Sequence, residues 1–301
     1  MKGRSRRDAL RSVAAVGAVS FLAPAAFSHM LARAGDPDGP VAERIIRAVG
    51  GQVPRSADMG AYVLAVARQF LGSPYRAGTL EVEGPERLVV NLREFDCVTL
   101  VESTLAIARC SAGERRTIDD VRSELIRIRY RGGVLDGYAS RLHYFSDWIS
   151  DNERKGLVKD LTGLLGGVPK RNTVNFMSSR PQAYPRLRDP AVRAAISARE
   201  RTISATPHTV LPLRLLPTAA SGINDGDILG ITAGVPGLDF VHTGFAVHVD
   251  GRVHFLHAPL SGGVVIVSAK TLEEVLRARQ TPPGIVVVRP LRPSAAGPGR
   301  R

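Results

Sequence analysis

The residue of most chemical interest is Cys97, in the run Glu94-Phe95-Asp96-Cys97-Val98-Thr99-Leu100-Val101-Glu102. Asp96 reads as a helix N-cap, and Val98, Val101, Leu105 and Ala108 form one apolar stripe at helical spacing. Cys97 then falls in the first turn, where free backbone N–H groups and the helix dipole favour a thiolate nucleophile. The other cysteine, Cys110, is thirteen residues further along the same helix, about 20 Å away. A disulfide needs Cα atoms within about 7 Å, so Cys97 is expected to be a free thiol and Cys110 a core residue.

A thiol nucleophile requires a base, and two histidines fall in suitable register. Asp250-Gly251 between apolar alternating runs signals a two-residue hairpin turn, pairing Val249 with Arg252. Counting back from the turn sets His257 opposite Gly244, on the same sheet face as His242. The two histidines become diagonal neighbours with Cα atoms roughly 7–8 Å apart, within imidazole reach across the space Gly244 leaves open. His242 would take the Cys97 proton while His257 orients it. His248 lies towards the turn, about 20 Å along that face, and His254 points to the other face.

The surrounding chain has the makings of a scaffold for these groups. Its 301 residues are 44% hydrophobic and 23% charged, an ordinary globular composition with ample material for a core. Residues 40–110 carry helical periodicity at Val41–Val49 and Met59–Leu71. Residues 221–292 switch to period two, with strands expected at Asp227–Ile231, His242–Val249, Val253–His257, Val264–Ser268 and Ile285–Arg289. The intervening residues 113–220 read as polar helices between Pro- and Gly-rich loops, a helical insertion within one domain spanning 40–292. Residues 293–301 read as a disordered tail. The expected fold class is α+β, helices packed on an antiparallel sheet.

Residues 1–34 read as an address. The run Ser5-Arg6-Arg7-Asp8-Ala9-Leu10-Arg11 precedes an apolar stretch from Ser12 to Phe27, then small residues at Ala23-Pro24-Ala25 and Ala32-Arg33-Ala34. This is the form of a twin-arginine export signal, cleaved near Gly35 to give a periplasmic or extracellular chain with no stable membrane anchor. An uncleaved anchor helix is the other reading. No cysteine follows the apolar stretch to carry a lipid. The net charge of +13 comes from 41 Lys and Arg residues, 36 of them arginine. With 5% aromatics no base-stacking platform is suggested, so nucleic acid is not the expected partner. A basic surface suits an anionic cell-envelope polymer equally well.

Taken together the residues resemble a known family. Gly72-Ser73-Pro74-Tyr75-Arg76-Ala77-Gly78 followed by Asp96-Cys97 is similar to the entry of the NlpC-type cell-wall cysteine peptidases. Asp225-Gly226-Asp227-Ile228, His242-Thr243-Gly244-Phe245-Ala246-Val247 and Phe255-Leu256-His257-Ala258 are similar to their sheet. Asp96-Cys97-Val98-Thr99, Gly137 to Phe145 and Gly237-Leu238-Asp239 resemble the N-acetylmuramoyl-L-alanine amidase-like branch. The resemblance covers about residues 55–290 and implies a papain-like α+β fold. It also implies Cys97 as nucleophile, His242 as general base, His257 as the group orienting it, and Tyr75 lining the site. Tyr75 and Asp96 are further candidates for substrate or oxyanion contact. Peptidoglycan is the implied partner, with no cofactor or metal, and a monomer is expected. The chain departs from the commoner Cys-Ser-Gly sequence with Cys97-Val98-Thr99, and its insertion is about a hundred residues long. Arg141 and His143, among Tyr138, Tyr144, Phe145 and Trp148, are candidate substrate contacts, because an arginine among aromatics suits a sugar-peptide carboxylate.

Other chemistries fit less well. A zinc triad of Cys97, His242 and His257 has no His-Glu-x-x-His run beside it. A serine hydrolase would need a Gly-x-Ser-x-Gly elbow, which the chain lacks. An endopeptidase cutting after D-glutamyl in the stem peptide and a non-catalytic wall-binding module remain the alternatives.

Overall fold

The computed structural model describes residues 36–260, 263–279 and 284–293. The expected export signal at 1–34 and nearly all of the expected tail lie outside these residues. In chain order the elements are α1 (Gly39–Gln52), α2 (Met59–Arg68), α3 (Cys97–Ala112), α4 (Ile118–Arg129) and α5 (Phe145–Arg154). Next come β1 (Val158–Asp160), β2 (Val168–Lys170), α6 (Pro190–Ala205), β3 (His208–Pro212) and α7 (Leu216–Ala219). The last group is β4 (Ile228–Thr232), β5 (Phe240–Val249), β6 (Arg252–His257), β7 (Ile266–Thr271), α8 (Leu272–Arg277) and β8 (Gly284–Pro290).

One antiparallel sheet organises the chain in the order β2-β3-β8-β4-β5-β6-β7, with β1 also pairing β8. The mixed helix and antiparallel-sheet class expected from periodicity is therefore what the chain adopts. The insertion differs from its expected all-helical form. It contributes α4, α5 and α6, but its β1 and β3 pair with β8 and widen the sheet. These strands are three and five residues long, too short to display a period-two pattern.

The helix carrying Cys97 starts where the Asp96 cap predicts, and is more deeply enclosed than its apolar stripe alone requires. The expected stripe of Val98, Val101, Leu105 and Ala108 marks one apolar face, yet α3 is buried all round from Thr99 to Ser111. It lies among α1, α2, α4 and β5. Its polar side chains therefore need internal partners. Glu102 accepts from Arg129 Nε at 2.6 Å, and Arg109 Nε donates to Glu124 at 2.8 Å. Cys110 is fully buried in the core, and both cysteines are free thiols.

The β5–β6 hairpin has the predicted register, with Val249 opposite Arg252 and Phe245 opposite Leu256. Asp250 and Gly251 both take positive φ, +49° and +75°, as a two-residue hairpin turn requires. No helix among the described residues is long and apolar enough to cross a membrane.

Candidate active site

Asp96 caps α3 by accepting from the Thr99 backbone N–H at 2.7 Å, and Thr99 Oγ1 accepts from the Asp96 N–H at 2.9 Å. This reciprocal box fixes the first turn and sets Cys97 at its start. It also spends the Asp96 carboxylate on the helix. As an acceptor, that group cannot stabilise an oxyanion, so the expected oxyanion contact at Asp96 gives way to a capping role.

Cys97 and His242 line the same cleft, about 170 Å³ in volume, with Val98, His143 and Thr243. Leu142, Phe145, Trp148, Leu238 and Phe240 supply its apolar walls. His242 Nε2 lies 2.6 Å from His257 Nδ1, the diagonal contact that the hairpin register predicts. A β-carbon on Gly244 would sit 2.5 Å from the Leu256 carbonyl oxygen and 2.9 Å from His257 Cβ. Only glycine fits between the two histidine strands there.

Phe255, which was not among the expected site residues, braces both rings. It meets His242 edge-on at 5.5 Å and stacks on His257 at 4.5 Å between ring centres. Its position two residues before His257 on one strand was the available signal.

The electrostatics differ from the thiolate expected at a helix N-terminus. Burial pushes the Cys97 thiol up to about 12, and the neighbouring Asp96 charge pushes it the same way. Backbone N–H groups of Thr243, Cys97 and Val98 aim at the sulfur and pull it down, but burial wins. His242 is held down to about 3 by burial, then by His257 and Arg279. His257 falls to about 4, again through burial and then Arg279. At neutral pH the site therefore holds a thiol and two neutral imidazoles.

The remaining predicted residues divide. His143 lines the cleft and its Nε2–H donates to the Tyr138 carbonyl at 2.9 Å. Burial and the Arg141 charge depress it to about 3. Tyr75 is half-buried, and its hydroxyl is raised by burial and then by Cys97 and Asp96, so it stays protonated. Its strand segment is tied to the nucleophile loop by Arg76 N–H to the Phe95 carbonyl at 2.9 Å.

Arg141 is corrected. It is buried but does not line the cleft, and it binds Glu81 at 2.7 Å and Glu86 at 3.4 Å beneath the loop at 80–86. Its guanidinium also sits 4.7 Å from the Tyr138 ring centre. Two carboxylates pair its charge away from the cleft lining. His248 pairs with Asp225 and His254 with the Ser268 carbonyl, both apart from the cleft. Asp239 lines the cleft but accepts from Ser146 N–H and Oγ and from its own neighbour Phe240 N–H, which pins the start of α5 to the β4–β5 loop. No group of three His, Cys, Asp or Glu among the described residues is arranged to hold a metal ion.

A half-buried cysteine at a helix start shares its cleft with a histidine of the β5–β6 hairpin, on a mixed helix and antiparallel-sheet scaffold. The chain belongs to the AmiA-like family, described as N-acetylmuramoyl-L-alanine amidase-like, which it matches over residues 65–285. It is similar to an N-acetylmuramoyl-L-alanine amidase from Bacteroides uniformis at 37% identity, covering 78% of this chain and 99% of that one with a TM-score of 0.74. A protein from Bacteroides fragilis named as a xylanase is 38% identical over 75% of this chain and 99% of its own, with a TM-score of 0.71. A Legionella pneumophila protein shares the fold at 19% identity, covering 84% of this chain and 95% of its own with a TM-score of 0.65. No curated protein matches the chain.

Proposed function

We propose that the protein is an exported cysteine amidohydrolase that cleaves the amide between N-acetylmuramic acid and L-alanine in peptidoglycan. The observation that carries this reading is Cys97 at the head of α3 sharing a cleft with His242, itself bonded to His257. Family membership and the similarity to a B. uniformis amidase support the choice of bond. The paired arginines and apolar stretch at the N-terminus support export to the periplasm or beyond.

In this mechanism His242 Nε2–H donates to His257 Nδ1, leaving His242 Nδ1 as the base. The sulfur attacks the lactyl carbonyl as its proton passes to Nδ1, so no standing thiolate is needed. The imidazolium formed keeps its Nε2–H bond to a neutral His257, which steadies the new charge. Helix-start N–H groups and the protonated Tyr75 hydroxyl hold the oxyanion. The imidazolium then protonates the alanine nitrogen as the C–N bond breaks, giving a muramoyl thioester. Water, deprotonated by the same imidazole, hydrolyses that thioester and restores the thiol.

The xylanase name of one relative does not transfer easily. Glycoside hydrolysis uses two carboxyl groups flanking the bond, and the cleft holds one, Asp239, already bonded to Ser146 and Phe240.

The test is digestion of purified peptidoglycan by the protein and its Cys97→Ala variant, with products identified by mass. New L-alanine amino termini, absent with the variant, are expected. New amino groups on diaminopimelate would replace this reading with the stem endopeptidase, and equal inertness of both proteins would leave a binding module.

A further inference from the structure

The net charge is not spread over the protein. Residues 36–160 hold 18 Lys and Arg against 19 Asp and Glu, and residues 225–293 hold six against six. Residues 161–224 hold nine against two, Asp189 and Glu200. The net positive charge of the described chain thus comes from one segment, which contains β2, α6, β3 and α7.

Elsewhere most cations are neutralised in pairs such as Arg109–Glu124, Arg129–Glu102 and Arg131–Asp147. None of the nine in this segment forms a salt bridge among the described residues. Lys170, Arg171, Arg188, Arg193, Arg201 and Arg214 are exposed.

On α6 two of the three arginines, Arg193 and Arg201, are exposed, and Arg199 is half-buried beside Arg131 and Asp147. Its buried residues are Ile196, Glu200 and Ile203, and Glu200 accepts from Tyr144 Oη at 2.6 Å and from Ser178 N–H at 3.0 Å. One of the segment's two carboxylates is therefore turned inward. Ala194, Ala195 and Ala198 are exposed beside Arg193 and Arg201, so small neighbours leave these guanidinium groups clear. At the far end Arg171 donates to the Ala205 carbonyl at 2.9 Å, next to Lys170 on β2. The two exposed arginines of α6, Arg193 and Arg201, are eight residues or about 12 Å apart along its axis.

That helix is also tied to the cleft. Tyr144, held by Glu200, follows His143, and the Asn175 N–H donates to the Gly237 carbonyl beside Leu238; His143 and Leu238 both line the cleft.

Building on the peptidoglycan reading, we propose that the outer face of α6 with the adjoining β2 end docks the intact polymer through its stem-peptide carboxylates. Unpaired, exposed arginines matched to a polymer with repeated carboxylates give many weak charge contacts that sum and are sensitive to salt. Nucleic acid fits less well. The segment's two aromatics, Phe176 and Tyr184, are half-buried against its own small core, and Phe176 lies under Arg180 at 4.1 Å. That leaves no platform for bases.

The test is co-sedimentation of the Cys97→Ala protein with sacculi stripped of phosphate polymers by hydrofluoric acid. Comparison is with the same chain carrying Lys170→Glu, Arg193→Glu and Arg201→Glu, and with the milder triple Gln form. The Glu form should bind at least about tenfold more weakly at low salt, the Gln form in between, and the parent should detach as salt rises from roughly 50 to 300 mM. Amidating the sacculus carboxylates should abolish binding. Equal binding by the triple Glu form, undiminished binding to amidated sacculi, or displacement by a DNA duplex at equal charge concentration would overturn the proposal. Turnover of a soluble muramoyl peptide by the otherwise unmodified triple Glu chain should match that of the parent; an equal fall there would place these residues in the cleft's work instead. Failure of the parent itself on that soluble substrate would defeat the amidase reading and leave the sedimentation result standing.

Discussion

His242 Nε2 and His257 Nδ1 lie 2.6 Å apart across a hairpin whose turn, Asp250-Gly251, comes eight residues after the first and six before the second. Since His257 is hydrogen-bonded to the base and does not line the cleft, it acts as a positioning residue. His242→Ala should lower kcat by about 10²–10⁴. His257→Ala should lower kcat less and leave KM nearly unchanged, with His257→Asn recovering part of the loss because its amide can still accept from Nε2. Steady-state kinetics on a soluble muramoyl peptide decide it, and full activity in His257→Ala would remove that residue from the mechanism.

Gly244 sets the spacing of that pair. An alanine there would place its methyl 2.5 Å from the Leu256 carbonyl oxygen, a backbone atom that cannot turn aside. Gly244→Ala should therefore cost about 1–3 kcal/mol, the range for overpacking, and lower kcat as well by prising the histidine strands apart. Thermal melting and kinetics on the same preparation would show both; a variant with unchanged Tm would contradict the packing account.

How much of this was legible in the sequence follows from which signals were local. The turn at Asp250-Gly251 fixes β5 against β6, so the histidine pairing could be counted residue by residue. The Asp96–Thr99 cap is equally local. Burial is not local. The helix at Cys97 looked amphipathic because its stripe was read without Glu102 and Arg109, whose buried partners Arg129 and Glu124 lie 27 and 15 residues away. The same blindness turned Arg141 into a substrate contact, since Glu81 and Glu86 reach it from a loop some sixty residues earlier. The short strands β1 and β3 exist because β8 offers them an edge, which no pattern within them announces.

Thiol chemistry should show the burial of Cys97 directly. With the thiol near 12, alkylation by iodoacetamide should climb steadily from pH 7 to 10 with no plateau. Cys97, half-buried at the cleft, should still react before Cys110, which is fully enclosed. Mass mapping of labelled peptides against pH gives both results. A plateau reached near neutrality would mean a standing thiolate–imidazolium pair instead.

Acid should weaken the fold through its enclosed histidines. His143 and His242 are held near 3 and His257 near 4, below the ordinary value of 6.5. The unfolded chain takes up protons on these groups below about pH 6.5, whereas the folded chain does not until about pH 3–4. Their contribution is thus fully present above pH 6.5 and is lost as pH falls through that window. Tm should drop between pH 7 and 4.5, and His143→Gln should make the drop shallower. An identical slope in both proteins would show that His143 does not titrate against folding.

Arg141 should prove structural. Its guanidinium is 5% exposed and lies between Glu81 and Glu86, so it fastens the loop at 80–86 to the core beside Tyr138. Glu86, 4% exposed in its side chain, also accepts from Tyr130 Oη at 2.9 Å. Removing the arginine strands that buried carboxylate, a change that typically costs about 3–5 kcal/mol. Arg141→Met keeps the aliphatic bulk while deleting the charge, and should lower the denaturation midpoint by that amount. The double variant Arg141→Met/Glu86→Gln should recover part of the loss, because the stranded charge goes with its partner. In both variants the folded fraction should keep the parent KM for a soluble muramoyl peptide. A KM raised tenfold with stability unchanged would return Arg141 to the substrate.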